Sequence, residues 1–154
     1  DVRLPDGQMS KREVIHHVGA VSVIVTDKEN NVLLVQQFRL LVGKLTWEIP
    51  AGTLERDEPL ETCASRELQE ETGYKPLELT YLGGIHPAPA YTTEIIHIYW
   101  SRRYVESRLD GDADEFVEAK WLPLRETLDM ITSGEITDSK TVVALLKVAR
   151  ELHV

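Results

Sequence analysis

A chain of 154 residues with 42% hydrophobic and 28% charged side chains holds enough apolar material for one packed domain and too much for disorder. Its formal net charge of -9 argues against a nucleic-acid or anionic-membrane surface, and its single cysteine, Cys63, excludes an internal disulfide. The longest apolar runs, GAVSVIV and VVALL, are too short for a signal segment or a membrane span. The chain is therefore expected in the cytoplasm, with no membrane and no nucleic-acid partner.

The N-terminus reads as a hairpin, DVRL and REVIHHV joined by a turn at PDG. At residues 1–18 it is too small to be stable alone and forms a first segment, with the main domain expected over 19–154. GAVSVIVT and VLLVQQFR, joined by the polar turn DKENN, read as an antiparallel strand pair. LTWEI is a short strand ending at Pro50, with Trp47 expected in the core. Residues 59–72 carry helical periodicity, opened by Pro59 in the first turn and closed by Gly73. LELTYLGGI and EIIHIYWSRR are further strands, separated by the loop HPAPAYTT. The acidic loop DGDADE precedes the strand FVEAKWL, and two helices finish the chain, the second capped by Asp138 or Ser139. Strands in hairpins with interspersed helices predict an α+β fold around a mixed central sheet.

The helix at 59–72 is the anomaly. On a wheel of about 100° per residue, Leu60, Cys63, Ala64 and Leu68 form an apolar stripe around Glu67. Glu71 falls inside that stripe and Glu70 on its edge. Carboxylates are seldom buried unless paired or metal-bound, and at a helix C-terminus they also oppose the macrodipole. An i,i+4 pair of Arg66 with Glu70 leaves Glu67 and Glu71 needing another cation. Oxygen-only ligands select Mg²⁺ or Mn²⁺ over zinc. The five histidines have no metal-ligand spacing and are read as structural. Asp110, Asp112 and Asp114 begin like a calcium loop, but Glu115 stands where glycine is needed and Trp121 where the bidentate Glu belongs.

Gly52, Glu58, Arg66, Glu67, Leu68, Glu70, Glu71 and Gly73 stand in the register of the Nudix box. The segment resembles that family, departing only at Tyr74, where an aliphatic residue is usual. The resemblance implies a Nudix fold, an α/β/α sandwich in which the box forms loop–helix–loop and binds divalent metal. By position, Glu67, Glu71 and the Ala51 carbonyl become metal ligands and Glu70 an additional or supporting one. Glu58 and Arg66 become the ion pair that fixes loop to helix. WEIPAG, QQFR and TDSKTVVALL look like the branch of ADP-ribose and nucleoside diphosphate sugar pyrophosphatases. Pro89 stands where that branch has a proline, although Ala90 replaces its usual glycine.

In that branch a mobile loop supplies a Glu that activates water, and DEFVE resembles it. Glu115 is thus the expected base, with Asp114 and Asp112 as alternatives. Arg39 is expected on phosphate, Glu94 on substrate, and Glu48 at the substrate or behind the metal. The activity implied is Mg²⁺- or Mn²⁺-dependent hydrolysis of ADP-ribose or a related nucleotide sugar to a nucleoside monophosphate and a sugar phosphate. The alternatives are a nucleoside triphosphate pyrophosphohydrolase and a non-catalytic nucleotide-sugar regulator. Since segments like 1–18 cross to a second subunit in relatives, a homodimer is expected.

Overall fold

The computed structural model of the chain describes residues 1–111 and 117–154. Two short strands, β1 (Val2–Arg3) and β2 (Met9–Ser10), form the N-terminal hairpin. Its second arm is Met9–Ser10 and not the expected stretch to Val18. The backbone farther on is engaged elsewhere: the Ile15 amide donates to the Tyr91 carbonyl, and the Thr93 amide donates to the Ile15 carbonyl.

The main body then runs β3 (Ala20–Val25), β4 (Asn31–Arg39), β5 (Lys44–Glu48), β6 (Ala51–Thr53) and α1 (Leu60–Thr72). After these come β7 (Tyr74–Pro76), β8 (Thr80–Ile85), β9 (Ile96–Ser101), β10 (Tyr104–Glu106) and β11 (Glu118–Pro123). Two helices, α2 (Leu124–Ser133) and α3 (Ser139–Leu152), end it. A four-stranded mixed sheet has the order β6-β3-β9-β8, with β3 and β9 parallel, and a three-stranded antiparallel sheet has the order β11-β4-β5.

The expected β3–β4 pair shrinks to a single bridge between Thr26 and Val32. All six residues of β3 are buried, so the strand is covered on both faces. Such a strand belongs inside a sandwich with other strands on both its edges, here β6 and β9. Strand alternation then sorts its side chains. Val21, Val23 and Val25 join Cys63, Ala64 and Leu68 of α1, while Ile24 joins Ile98, Leu145 and Val148 beneath α3. β4 divides likewise, Leu33 toward α1 and Leu34 toward α3. Each of these valine, leucine and isoleucine side chains stabilises the fold by roughly 1.5–3 kcal/mol on burial. The result is an α+β protein, helices on both faces of a mixed sheet.

α1 begins one residue later than expected, Pro59 serving as its extended cap residue. Gly73 ends it in the left-handed region at φ 78°, its amide bonded to the Gln69 carbonyl. Gln69, on the polar side of the wheel, is also buried because the chain after β10 lies across it: its Nε2 donates to Ser107 Oγ at 2.9 Å. Trp47 is only half-buried, packed against the core beneath α3. Tyr74 stands edge-on to Tyr104 and Trp121, at 5.3 and 5.9 Å between ring centroids. This aromatic cluster accounts for a tyrosine where an aliphatic residue was expected.

Candidate active site

The C-terminal half of α1 lies against the β6 corner. Glu67 is 8% exposed and Glu71 6%, as the position of their stripe predicts. Glu71 Oε2 accepts the Ala51 amide at 3.1 Å. The Glu67 carboxylate stands directly over Gly52, so that a Cβ at this position would overlap it. Glycine is required at Gly52 by close approach, not by an unusual φ. Glu67 is therefore not left to a metal alone, as the i,i+4 scheme had it: Arg66 Nη1 reaches Glu67 Oε1 at 2.6 Å and Glu70 Oε2 at 3.1 Å.

Arg66 also grips Glu58 with two parallel hydrogen bonds of 2.9 Å. This fork is the pair that ties the loop to the helix. Hydrogen bonds from Arg66 hold the Glu58 carboxyl down to about 2, and Glu58 in turn raises the Arg66 guanidinium. Cys63 lies beneath, fully buried, its thiol pushed up to about 12 chiefly by burial. Three carboxylates, Glu58, Glu67 and Glu70, thus gather around one guanidinium, with Glu71 beside them on the Ala51 amide, and the last turn of α1 has no basic residue.

This donor set fits a hard divalent cation. Among the described residues no three acidic, His or Cys side chains converge on one point. What the structure offers is two buried carboxylates pressed against the Ala51–Gly52 backbone.

The opposite wall presents two cationic side chains, Arg39 and Lys140, each paired with a carboxylate. Arg39, at the end of β4, donates from Nε and Nη2 to Glu48 Oε1 and Oε2 at 2.8 and 2.7 Å. Glu48 is buried and also accepts from Thr46 Oγ1 at 2.6 Å and Lys140 Nζ at 2.6 Å. Burial alone would raise its carboxyl, but Arg39 and Lys140 together hold it at about 2. Arg39 is raised by its hydrogen bond to Glu48 and, farther off, by Asp138 and Glu71. The N-terminus of α3 is stitched to the same corner. Asp138 accepts from the Thr141 amide and hydroxyl, and Thr141 Oγ1 accepts the Ile49 amide at 2.9 Å. Asp138 is therefore the cap, resolving the choice between it and Ser139.

Between the walls lies a cavity of about 580 Å³. Arg39, Ala51, Arg66, Glu67, Glu70, Glu71 and Glu94 all line it, and Glu48 stands behind Arg39. Glu94 is also 3.9 Å from His17 Nε2. Glu115, Asp114 and Asp112 lie outside the described residues. Reading the sequence missed Lys140 and Gln37, which line the cavity too. Lys140 sits in TDSKT, but no local pattern separates a lysine bonded across 92 residues from an exposed one on a helix.

Sandwich, acidic helix and cavity define a loop–helix–loop hydrolase. The comparisons agree, for the NUDIX domain family matches residues 16–145. An ADP-ribose pyrophosphatase of Bacillus subtilis (strain 168) is 40% identical over 147 residues, covering 94% of this chain and 80% of that protein. A methanol dehydrogenase activator of Bacillus methanolicus is 44% identical over 147 residues with the same coverage. A crystal structure of an ADP compounds hydrolase aligns with a TM-score of 0.85 over 98% of this chain and 82% of that one. At 21% identity that likeness speaks to the fold alone. The chain belongs to the NUDIX family and is a Nudix hydrolase.

Proposed function

We propose that the protein hydrolyses the diphosphate linkage of ADP-ribose or a related nucleoside diphosphate sugar, releasing a nucleoside monophosphate and a sugar phosphate. One observation carries this reading: a single cavity has buried carboxylates on one wall and a guanidinium on the other. Its volume of about 580 Å³ is within the range of ordinary small-molecule sites. The name of the Bacillus subtilis relative supports the choice of substrate.

Glu67, Glu71 and the Ala51 carbonyl would hold Mg²⁺ or Mn²⁺, with Glu70 as a further ligand. Bound there, the metal neutralises the diphosphate and acidifies the attacking water. Arg66 keeps the box in shape through Glu58 and balances Glu67 and Glu70. Arg39 keeps three of its five N–H groups after bonding Glu48, and these donate to phosphoryl oxygens. Glu94 accepts from a substrate hydroxyl at the cavity rim. Glu115 takes the proton from water, a contribution typically of about 10²- to 10⁴-fold.

The protein is further proposed to be cytoplasmic and a homodimer built through residues 1–18. That segment supports the reading, since Met9, Val14, Ile15 and Val18 are all exposed apolar residues. A monomeric mass in light scattering at micromolar concentration would exclude the dimer.

The deciding assay supplies a pool of nucleotide sugars and dGTP with Mg²⁺ and identifies products by mass. AMP and ribose 5-phosphate from ADP-ribose, or the matching pair from another nucleotide sugar, is the expected result. Preferential release of pyrophosphate from dGTP would assign a triphosphate pyrophosphohydrolase instead. Binding with no turnover would make the protein a regulator.

A further inference from the structure

Lys140 is the second residue of α3 and only 6% exposed. A cation there is doubly disfavoured, by burial and by the positive end of the helix dipole. A methionine or leucine would fill the same space without either cost. Its ammonium lies 2.6 Å from Glu48 Oε2 and 3.0 Å from Asp138 Oδ2, and it lines the cavity.

Glu48 explains the placement. A carboxylate has about four acceptor positions, and Glu48 receives four donors: Arg39 Nε, Arg39 Nη2, Thr46 Oγ1 and Lys140 Nζ. It is saturated by protein groups, so it serves as a hub and not as a metal ligand. Arg39 and Glu48 by themselves would be a neutral pair with little attraction left for an anion. Lys140 bonds the same carboxylate and is itself answered by Asp138 Oδ2 at 3.0 Å, so the cluster is formally neutral while its two cationic side chains, Arg39 and Lys140, face the cavity. Asp138 Oδ2, the other anion on Lys140, also caps α3 by accepting from the Thr141 amide and hydroxyl, so the ammonium is held from both sides.

We propose that Lys140 is a positioning residue for the diphosphate: its ion pair with Glu48 Oε2 fixes the carboxylate that grips Arg39 Nε and Nη2, and so aims the three remaining Arg39 N–H donors at the substrate. This rests on the reading of the cavity as a nucleotide-sugar site.

The test is a double-mutant cycle on the full chain with Mg²⁺ and ADP-ribose, using Lys140→Met, Arg39→Ala and both together. Each single variant is expected to raise KM about tenfold while kcat stays within about threefold. The double variant is expected to match Arg39→Ala alone, because Lys140 acts through Arg39. Lys140→Arg, which keeps the charge, should restore KM to within about threefold of the parent. If Lys140→Met does not fold, Lys140→Gln removes the charge, keeps a donor to Glu48, and carries the same expectations. Additive KM effects in the double variant would overturn the proposal and make Lys140 an independent contact. A lowered Tm with unchanged KM would overturn it as well, leaving Lys140 as packing. Failure of the broader reading is separately visible, as an unmodified chain that turns over no nucleotide sugar.

Discussion

The two walls of the cavity handle charge in opposite ways. On the α1 side, three carboxylates surround a single guanidinium and a fourth, Glu71, sits on the Ala51 amide, with Glu67, Glu70 and Glu71 lining the cavity. On the α3 side, Arg39, Glu48, Lys140 and Asp138 form a network whose formal charges cancel, with every acceptor position of Glu48 occupied. The first arrangement, open to the cavity, is the one proposed above to hold a metal ion, whereas a closed network gives its energy to shape. On the proposed reading, one wall belongs to the chemistry and the other to the aim.

Breaking each wall in turn sharpens that contrast. The largest effect is expected for Glu71→Gln, which preserves shape and removes a charge from the open wall. Its kcat with Mg²⁺ should fall by about 10²-fold or more, with the circular dichroism spectrum and Tm nearly unchanged. A fully active variant would refute the metal assignment. Glu48→Ala strikes the closed wall and strands two cations, one of them nearly buried. It should destabilise the fold by about 3 kcal/mol in urea titrations. If stability is unchanged, the network is not closed in the way described.

Acid should discriminate further. The Glu48 carboxyl is lowered from 4.5 to about 2 in the folded state. A depressed carboxyl stabilises the fold above its unfolded value, and the benefit is lost as pH falls from 4.5 toward 2. Glu58 titrates over the same window. Unfolding midpoints measured across this range should drop steeply for the parent and less steeply for Glu48→Gln. Equal slopes would mean that Glu48 is not held low. The smallest effect is expected for Tyr74→Leu, outside both walls. Losing the edge-on contacts with Tyr104 and Trp121 should cost about 1 kcal/mol in Tm-derived stability and leave kcat alone.

The same contrast governs what could be read from the sequence. The open wall is one contiguous segment, so helix periodicity alone exposed Glu71 on the apolar stripe, and the box register supplied the rest. The closed wall joins residues 39, 48 and 140, whose meeting depends on β5 and the start of α3 reaching one corner. Arg39 and Glu48 were flagged from local resemblance, but their mutual fork and Lys140 were not. Strand pairing failed for a related reason. β3 was given β4, its sequence neighbour, whereas its parallel partner β9 arrives some seventy residues later. The runs at β6, β7 and β10 have only three residues each, too few for alternation to register.

Cys63 offers a last consequence. It is the sole thiol in the chain, sealed under the box helix and nearly all protonated at neutral pH. A maleimide or disulfide reagent can reach it only when α1 lifts from the sheet. The alkylation rate is thus a built-in clock for opening of α1, one that a bound cation or nucleotide should slow.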